Sequence, residues 1–187
     1  MGGVILASAA LTPTTATELQ EWRNPGFNKV VYIQSPNFAA RQPEVVIDTV
    51  VLHSTAGFNL FGTVKWFLTP ESEVSSHFVI GKDGSIVQQV STFDKAWHAG
   101  LSEDKFGRTH VNDFSVGIEL DNLNDGVDPY PSEQIEALKN LLHVIIRRHP
   151  IKLITSHANI ARPLGRKSDP KGFPWESLRD IGIELAP

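Results

Sequence analysis

The chain has no cysteine among its 187 residues. That absence excludes disulfide scaffolds, thiol nucleophiles, iron–sulfur clusters and every zinc site that uses thiolate, but leaves the compartment open. A membrane-spanning run is missing too: the longest apolar stretch near the N-terminus, VILASAAL at residues 4–11, is well short of the roughly 20 residues a span needs. No Lys or Arg precedes it, so it is not a complete secretory signal, and its small residues fit a trimmed remnant of one. Charge of one sign is also lacking. Lys plus Arg number 17 against 21 Asp plus Glu, a net −4, too small and too mixed for non-specific nucleic-acid binding. What remains is a single soluble domain, 41% hydrophobic and able to bury a sizeable core. Its seven histidines then have to be explained. So does a basic crowd in the C-terminal third: Arg147, Arg148, Lys152, Arg162, Arg166, Lys167 and Lys171. That crowd reads either as a solvated surface or as a local site for an anionic substrate.

Residues 1–44 are rich in Thr, Ala, Pro and Asn and lack sustained periodicity, which reads as an extension or loop-rich wrap. The continuous β-branched run at 45–53 predicts a buried central strand ending at His53. Residues 59–68 place Leu60, Val64 and Leu68 on one helical face and stop before Pro70. Residues 77–90 predict a hairpin around Asp83-Gly84. The segment FSVGIEL at 114–120 alternates, with Phe114, Val116, Ile118 and Leu120 on one face and Ser115, Gly117 and Glu119 on the other. The glycine beside Glu119 leaves room for something to approach the sheet there. A helix is expected over 132–149, with Ser132 as N-cap and Ile135, Leu138, Leu142 and Ile145 as its buried stripe. A short strand follows at 152–157 and a last helix around 175–183. This order predicts an α/β fold, one domain on a mixed central β-sheet flanked by helices.

Two strands that both end in histidine, His53 and His157, can bring two imidazoles to one edge of a sheet, where ligands bind in α/β architectures. Catalytic zinc takes three protein ligands and keeps a fourth position open, and without cysteine the third ligand must be His, Asp or Glu. Asp169 lies within one loop's reach of His157.

The motifs VVLHSTAG, SSHFVIGKDGSIVQQV, KAWHAG, NDFSVGIEL, TSHANIA and GRKSDP occur in one order at fitting intervals. With them, over about residues 34–183, the chain resembles the AmpD/AmiD-type N-acetylmuramoyl-L-alanine amidases, relatives of phage amidases and peptidoglycan recognition proteins. The resemblance implies an N-terminal extension over 1–33 and one amidase domain over 34–187 with a zinc cleft at one face of its sheet. It implies hydrolysis of the amide between N-acetylmuramic acid and L-alanine, one catalytic Zn²⁺, and peptidoglycan or a muropeptide as the bound partner. Nucleic acid and a transmembrane segment are not expected, and the protein is expected to be a monomer.

Residue by residue, the resemblance assigns zinc binding to His53, His157 and Asp169, and catalysis to Glu119 and Lys167. Substrate contacts are expected from His98, with Trp97 packed beneath it, and from Arg108 and Asn112 in GRTHVND. His77 is expected to be buried and hydrogen-bonded, while His110, His143 and His149 carry no assignment. Phage-type members have a Tyr before the histidine of the second motif and a Cys as third ligand, where this chain has Ser76 and Asp169. The family's DPGPxF reads DPKGFPW here, at 169–175, which bears on the loop around Lys171, and SPNFAARQP has Gln42 where an Arg-Pro pair is common. A catalytically silent peptidoglycan-binding module of the same fold is the alternative. The Ala/Ser-rich N-terminus favours the cell envelope or secretion over a cytoplasmic recycling role.

Overall fold

The β-branched run after Asp48 forms the centre of the sheet in the computed structural model, which describes residues 30–187. The apolar stretch at 4–11, and the signal remnant read from it, lie outside the described residues. The strands are β1 (Val30–Tyr32), β2 (Phe38–Ala40), β3 (Thr49–Ser54), β4 (Phe78–Ile80), β5 (Ile86–Gln88), β6 (Asp94–Ala96), β7 (Ser115–Leu120), β8 (Leu153–Ser156) and β9 (Glu184–Ala186). The helices are α1 (Leu60–Phe67), α2 (Ser132–Arg148) and the single-turn α3 (His157–Ile160). Seven strands form one sheet in the order β1-β5-β4-β7-β3-β8-β9, and β2 and β6 pair separately. Neighbours in the large sheet run parallel except β4 and β5, the expected hairpin. The mixed α/β sheet with helices on it is thus the observed architecture. Among the described residues, no helix is long and apolar enough to cross a membrane.

Alternation along β3 and β7 gives the sheet two different faces. Val50 and Leu52 join Val116, Ile118 and Leu120 in the main core with Leu138, Leu141, Leu142 and Ile145 of α2. Complete burial of each such side chain stabilises the fold by about 1.5–3 kcal/mol. Val51, His53, Ser115, Gly117 and Glu119 occupy the opposite face. That face carries α1, whose Val64 and Phe67 pack on Val79 and Val87.

Several expectations shift. Phe114 precedes β7 and joins a satellite cluster with Val51, Ala99, Val111 and Ile160 rather than the main core. Helix α1 buries Thr63, Val64 and Phe67 with Leu60 partly buried against the same cluster, while Leu68 of the expected stripe is exposed, because the inward face must meet β4 and β5. Ser132 is the first residue of α2 and not its cap; Pro131 stands at the N-cap without a side-chain hydrogen bond. The expected last helix is a 3₁₀ turn, Trp175–Ile181, followed by the edge strand β9. Strand β1 pairs with β5 from Val30 onward, so the sheet already includes residues ahead of position 34.

Candidate metal centre and pocket

The sheet's register builds the centre. His53 on β3 pairs with Glu119 on β7, and Leu52 pairs with Ser156, the last residue of β8, which places His157 one step further on beside His53. Glu119 of β7, His53 of β3 and His157, the first residue after β8, thereby stand in one row at the C-terminal end of the sheet. Ser156 fixes the turn into α3: its Oγ accepts from the Asn159 amide at 3.0 Å.

Asp169 completes the group from the loop beyond α3, held by the Ala158 amide donating to its carbonyl at 2.9 Å. Its Oδ2 lies 3.0 Å from His157 Nδ1 and 3.4 Å from His53 Nδ1. The two Nδ1 atoms are 3.0 Å apart. A tetrahedral ion with bonds of about 2.0–2.1 Å sets its ligand atoms about 3.3 Å from one another, so the triangle fits one ion. Among the described residues, this is the group of His, Asp and Glu able to hold a metal.

The electrostatics agree with ligand chemistry. Burial and then the neighbouring His157 lower the His53 pKa to about 4, with Asp169 opposing, so its imidazole is neutral at pH 7. Burial alone would raise Asp169, but hydrogen bonds from His157 and His53 outweigh it and hold the carboxyl well below the usual range. Two imidazoles and one carboxylate are the set a divalent cation takes while keeping a net positive charge.

A cavity opens beside this row between β7 and α1. Thr55, Phe58, Thr63, Trp66, Phe67, Trp97, His98, Glu119 and Lys167 line it, together with Val74 and Ser75, and its volume is about 260 Å³. Glu119 Oε2 is buried without a hydrogen-bond partner. Burial first, and then the charge on Asp169, push the Glu119 pKa up to about 8, against the pull of Lys167. Glu119 and Lys167 therefore face one cavity beside the His-His-Asp group.

The three expected substrate contacts fare differently. His98 reaches the cavity, but both ring nitrogens are engaged, Nδ1 with His53 Nε2 at 3.0 Å and Nε2 with Ser115 Oγ at 3.2 Å. Neither is left for substrate. Asn112 turns its side chain inward, its Oδ1 accepting from the His98 and Ala99 amides at 3.1 and 2.8 Å, which fixes the KAWHAG segment. Arg108 is not at the cavity at all. It clamps Asp48 with two bonds of 2.9 and 3.0 Å, donates to Asp104 at 2.8 Å and lies over the Phe114 ring. Asp48 precedes β3 whereas His53 nearly ends it, a separation of about 16 Å along an extended strand.

Of the basic crowd, Lys167 lines the cavity. Arg166 instead donates to the Ala99 and Leu101 carbonyls and Arg162 to the Asn159 and Ala161 carbonyls, tying loops together. Ser76, at the position of the phage-type Tyr, is buried and donates to the Phe78 carbonyl, so it offers no acid group. His77 is buried as expected, its Nδ1 accepting from the Gly117 amide at 2.9 Å. His149 meets Thr92 Oγ1 at 2.8 Å.

The sequence reading missed Asn124. Its Oδ1 accepts from Ser54 Oγ, next to His53, at 2.9 Å and from the Lys171 amide at 2.7 Å, while its Nδ2 donates to Ser168 Oγ at 3.1 Å. It thus pins both sides of Asp169 to β3. The altered DPKGFPW loop closes because its glycine comes at Gly172, where a Cβ would stand 3.2 Å from Gly126 Cα.

A mixed α/β sheet carrying a His-His-Asp group beside a half-buried glutamate defines the class: a candidate metal-ligating site of hydrolytic type on this fold. Comparison with known proteins narrows it. The profile of the N-acetylmuramoyl-L-alanine amidase family matches residues 42–172. The 1,6-anhydro-N-acetylmuramyl-L-alanine amidase AmpD of Citrobacter freundii is 41% identical over 113 residues, covering 58% of this chain and 57% of AmpD. The N-acetylmuramoyl-L-alanine amidase AmiD of Escherichia coli is 38% identical over 159 residues, covering 75% of this chain and 55% of AmiD. A solved structure of E. coli AmiD in complex with anhydro-N-acetylmuramic acid-L-Ala-D-gamma-Glu-L-Lys superposes with a TM-score of 0.63 at 34% identity, covering 79% of this chain and 66% of that one. The chain belongs to the N-acetylmuramoyl-L-alanine amidase family. It spans little more than half the length of the curated relatives it matches.

Proposed function

We propose that the protein hydrolyses the amide between the lactyl group of N-acetylmuramic acid and the L-alanine of a peptide stem, with one zinc ion held by His53, His157 and Asp169. The observation that carries this reading is the convergence of His53 Nδ1, His157 Nδ1 and Asp169 Oδ2 within 3.4 Å of one another, in the row that also holds Glu119. Zinc bound there supplies Lewis acidity for the scissile carbonyl and an acidified water.

The chain's own groups do the rest. Glu119 accepts the proton of the attacking water and returns it to the alanine nitrogen as the C–N bond breaks, leaving a carboxylate and a free amine. Such general acid–base work contributes roughly 10²–10⁴-fold. Burial suits Glu119 to the task, since a carboxyl with a raised pKa can both take and give a proton near neutrality. The Lys167 ammonium, on the same cavity wall, stabilises the oxyanion that develops on the carbonyl, a contribution of about 10²-fold or more. The aromatic lining from Phe58, Trp66 and Trp97 shields that step from bulk water.

A silent binding module of the same fold is the rival reading, and the presence of all three ligands with both catalytic side chains weighs against it. The deciding variant is Glu119→Gln. It keeps about one equivalent of zinc and loses at least about 10²-fold in turnover; unchanged turnover removes Glu119 from the reaction. Digests of intact sacculi beside soluble anhydro-muropeptides decide the compartment: cleavage of sacculi supports the envelope reading, and preference for anhydro-muropeptides supports the recycling one.

A further inference from the structure

His98 and Ser115 form a chain of hydrogen bonds behind His53 whose direction can be worked out from its far end. The Val111 carbonyl only accepts, and Ser115 Oγ lies 2.6 Å from it, so the single hydroxyl proton points there. Ser115 Oγ must then accept from His98 Nε2 at 3.2 Å, which puts the His98 proton on Nε2. A neutral His98 has only a lone pair at Nδ1, and His53 Nε2, 3.0 Å away, must donate to it. His53 in turn has only a lone pair at Nδ1, the atom that faces His157 Nδ1 and Asp169 Oδ2.

Two further observations favour this arrangement. Room for the ring is made at Gly117, where a Cβ would lie 2.5 Å from His98 Cγ. The ring's own backbone is fixed by Asn112 Oδ1. His157 contrasts with His53, for its remote Nε2 is buried without a partner.

We infer that His98 is a positioning residue: through the relay Val111–Ser115–His98 it locks His53 in the Nε2–H tautomer and aims the Nδ1 lone pair at the metal position. Partners of this kind orient imidazole ligands, and their loss costs 10–100-fold in metal affinity. The inference rests on the zinc reading, but its measurements do not depend on turnover, so failure of the amidase reaction leaves them intact.

The test has two parts. In metal-free protein, ¹⁵N chemical shifts of the histidine rings report the tautomer; His53 is expected as Nε2–H, and an Nδ1–H tautomer overturns the inference. Zinc affinity is then measured by competition with a chromophoric chelator. His98→Leu removes the acceptor and is expected to weaken zinc 10–100-fold. His98→Asn restores an acceptor oxygen near the place of Nδ1 and is expected to recover most of that loss. Equal affinity in His98→Leu and the parent protein, or equal weakening in both variants, refutes the relay. Should His98→Leu fail to fold, Ser115→Ala serves instead: it releases the His98 proton from its acceptor, and mixed tautomers at His53 with a several-fold weaker zinc affinity are expected. A single unchanged tautomer with unchanged affinity in Ser115→Ala overturns the inference equally.

Discussion

Gly117→Ala perturbs the centre without altering a ligand. The added Cβ would stand 2.5, 2.7 and 2.8 Å from Cγ, Cδ2 and Nδ1 of His98, where ordinary carbon contacts are about 3.5–4.0 Å. The glycine cannot yield, because its amide donates to His77 Nδ1 at 2.9 Å and its carbonyl accepts from the His77 amide at 3.1 Å. The ring must therefore retreat by about 1 Å, which stretches the His53–His98 bond beyond hydrogen-bonding range. Overpacking of this kind costs about 1–3 kcal/mol of stability, and loss of the imidazole partner weakens the metal about 10–100-fold. Thermal unfolding of the metal-free protein reads the first effect, and zinc competition reads the second. An alanine variant with the parent's zinc affinity would show that His98 does not govern His53 and would refute the reasoning.

Other expectations separate structure from chemistry. Arg108→Ala removes the guanidinium from Asp48 and from the fully buried Asp104 side chain, whose Oδ1 keeps the Phe106 and residue-108 amides, so it is expected to cost about 1–3 kcal/mol in chemical denaturation while KM for a muropeptide stays unchanged in protein that remains folded; a raised KM without loss of stability would place Arg108 at the substrate site. Asn124→Ala cuts three bonds that hold the Asp169 loop to β3, and weaker zinc binding with little change in far-UV circular dichroism is expected. In metal-free protein the raised pKa of Glu119, about 8 against 4.5, means that the folded state holds a proton the unfolded chain has released. Its contribution is fully present below about pH 4.5 and is lost as pH rises through about 8. Glu119→Gln lacks that loss, so its stability relative to the parent grows by up to about 1.4 kcal/mol per pH unit across this window; a flat difference contradicts a buried, unpartnered carboxyl.

The long strands and α2 were legible because their periods are strong: β3, β7 and α2 stand close to their expected places. Six strands are only three residues long; β4 and β5 were legible through the Asp83-Gly84 turn between them, whereas β1, β2, β6 and β9 have no such local signal and depend on pairing with neighbours distant in the chain. The convergence of His53, His157 and Asp169 was legible from the strand ends that carry the two histidines and from the motif around the aspartate. The contacts that His98, Arg108 and Asn112 make were not, because a polar side chain in a loop looks the same in sequence whether it turns outward to solvent or inward to the backbone. One signal did exist. Ser115, Gly117 and Glu119 share a face, and the gap at Gly117 announced that something packs there; only the tertiary fold shows that it is the ring of His98.

The most direct test of the account is a digest of purified muropeptides with the zinc-loaded protein, with and without chelator, the products being identified by mass. Release of a free peptide stem beginning with L-alanine, abolished by chelation and restored by zinc, is the predicted result. An intact lactyl–alanine bond in protein shown to carry one equivalent of zinc would contradict the proposed reaction.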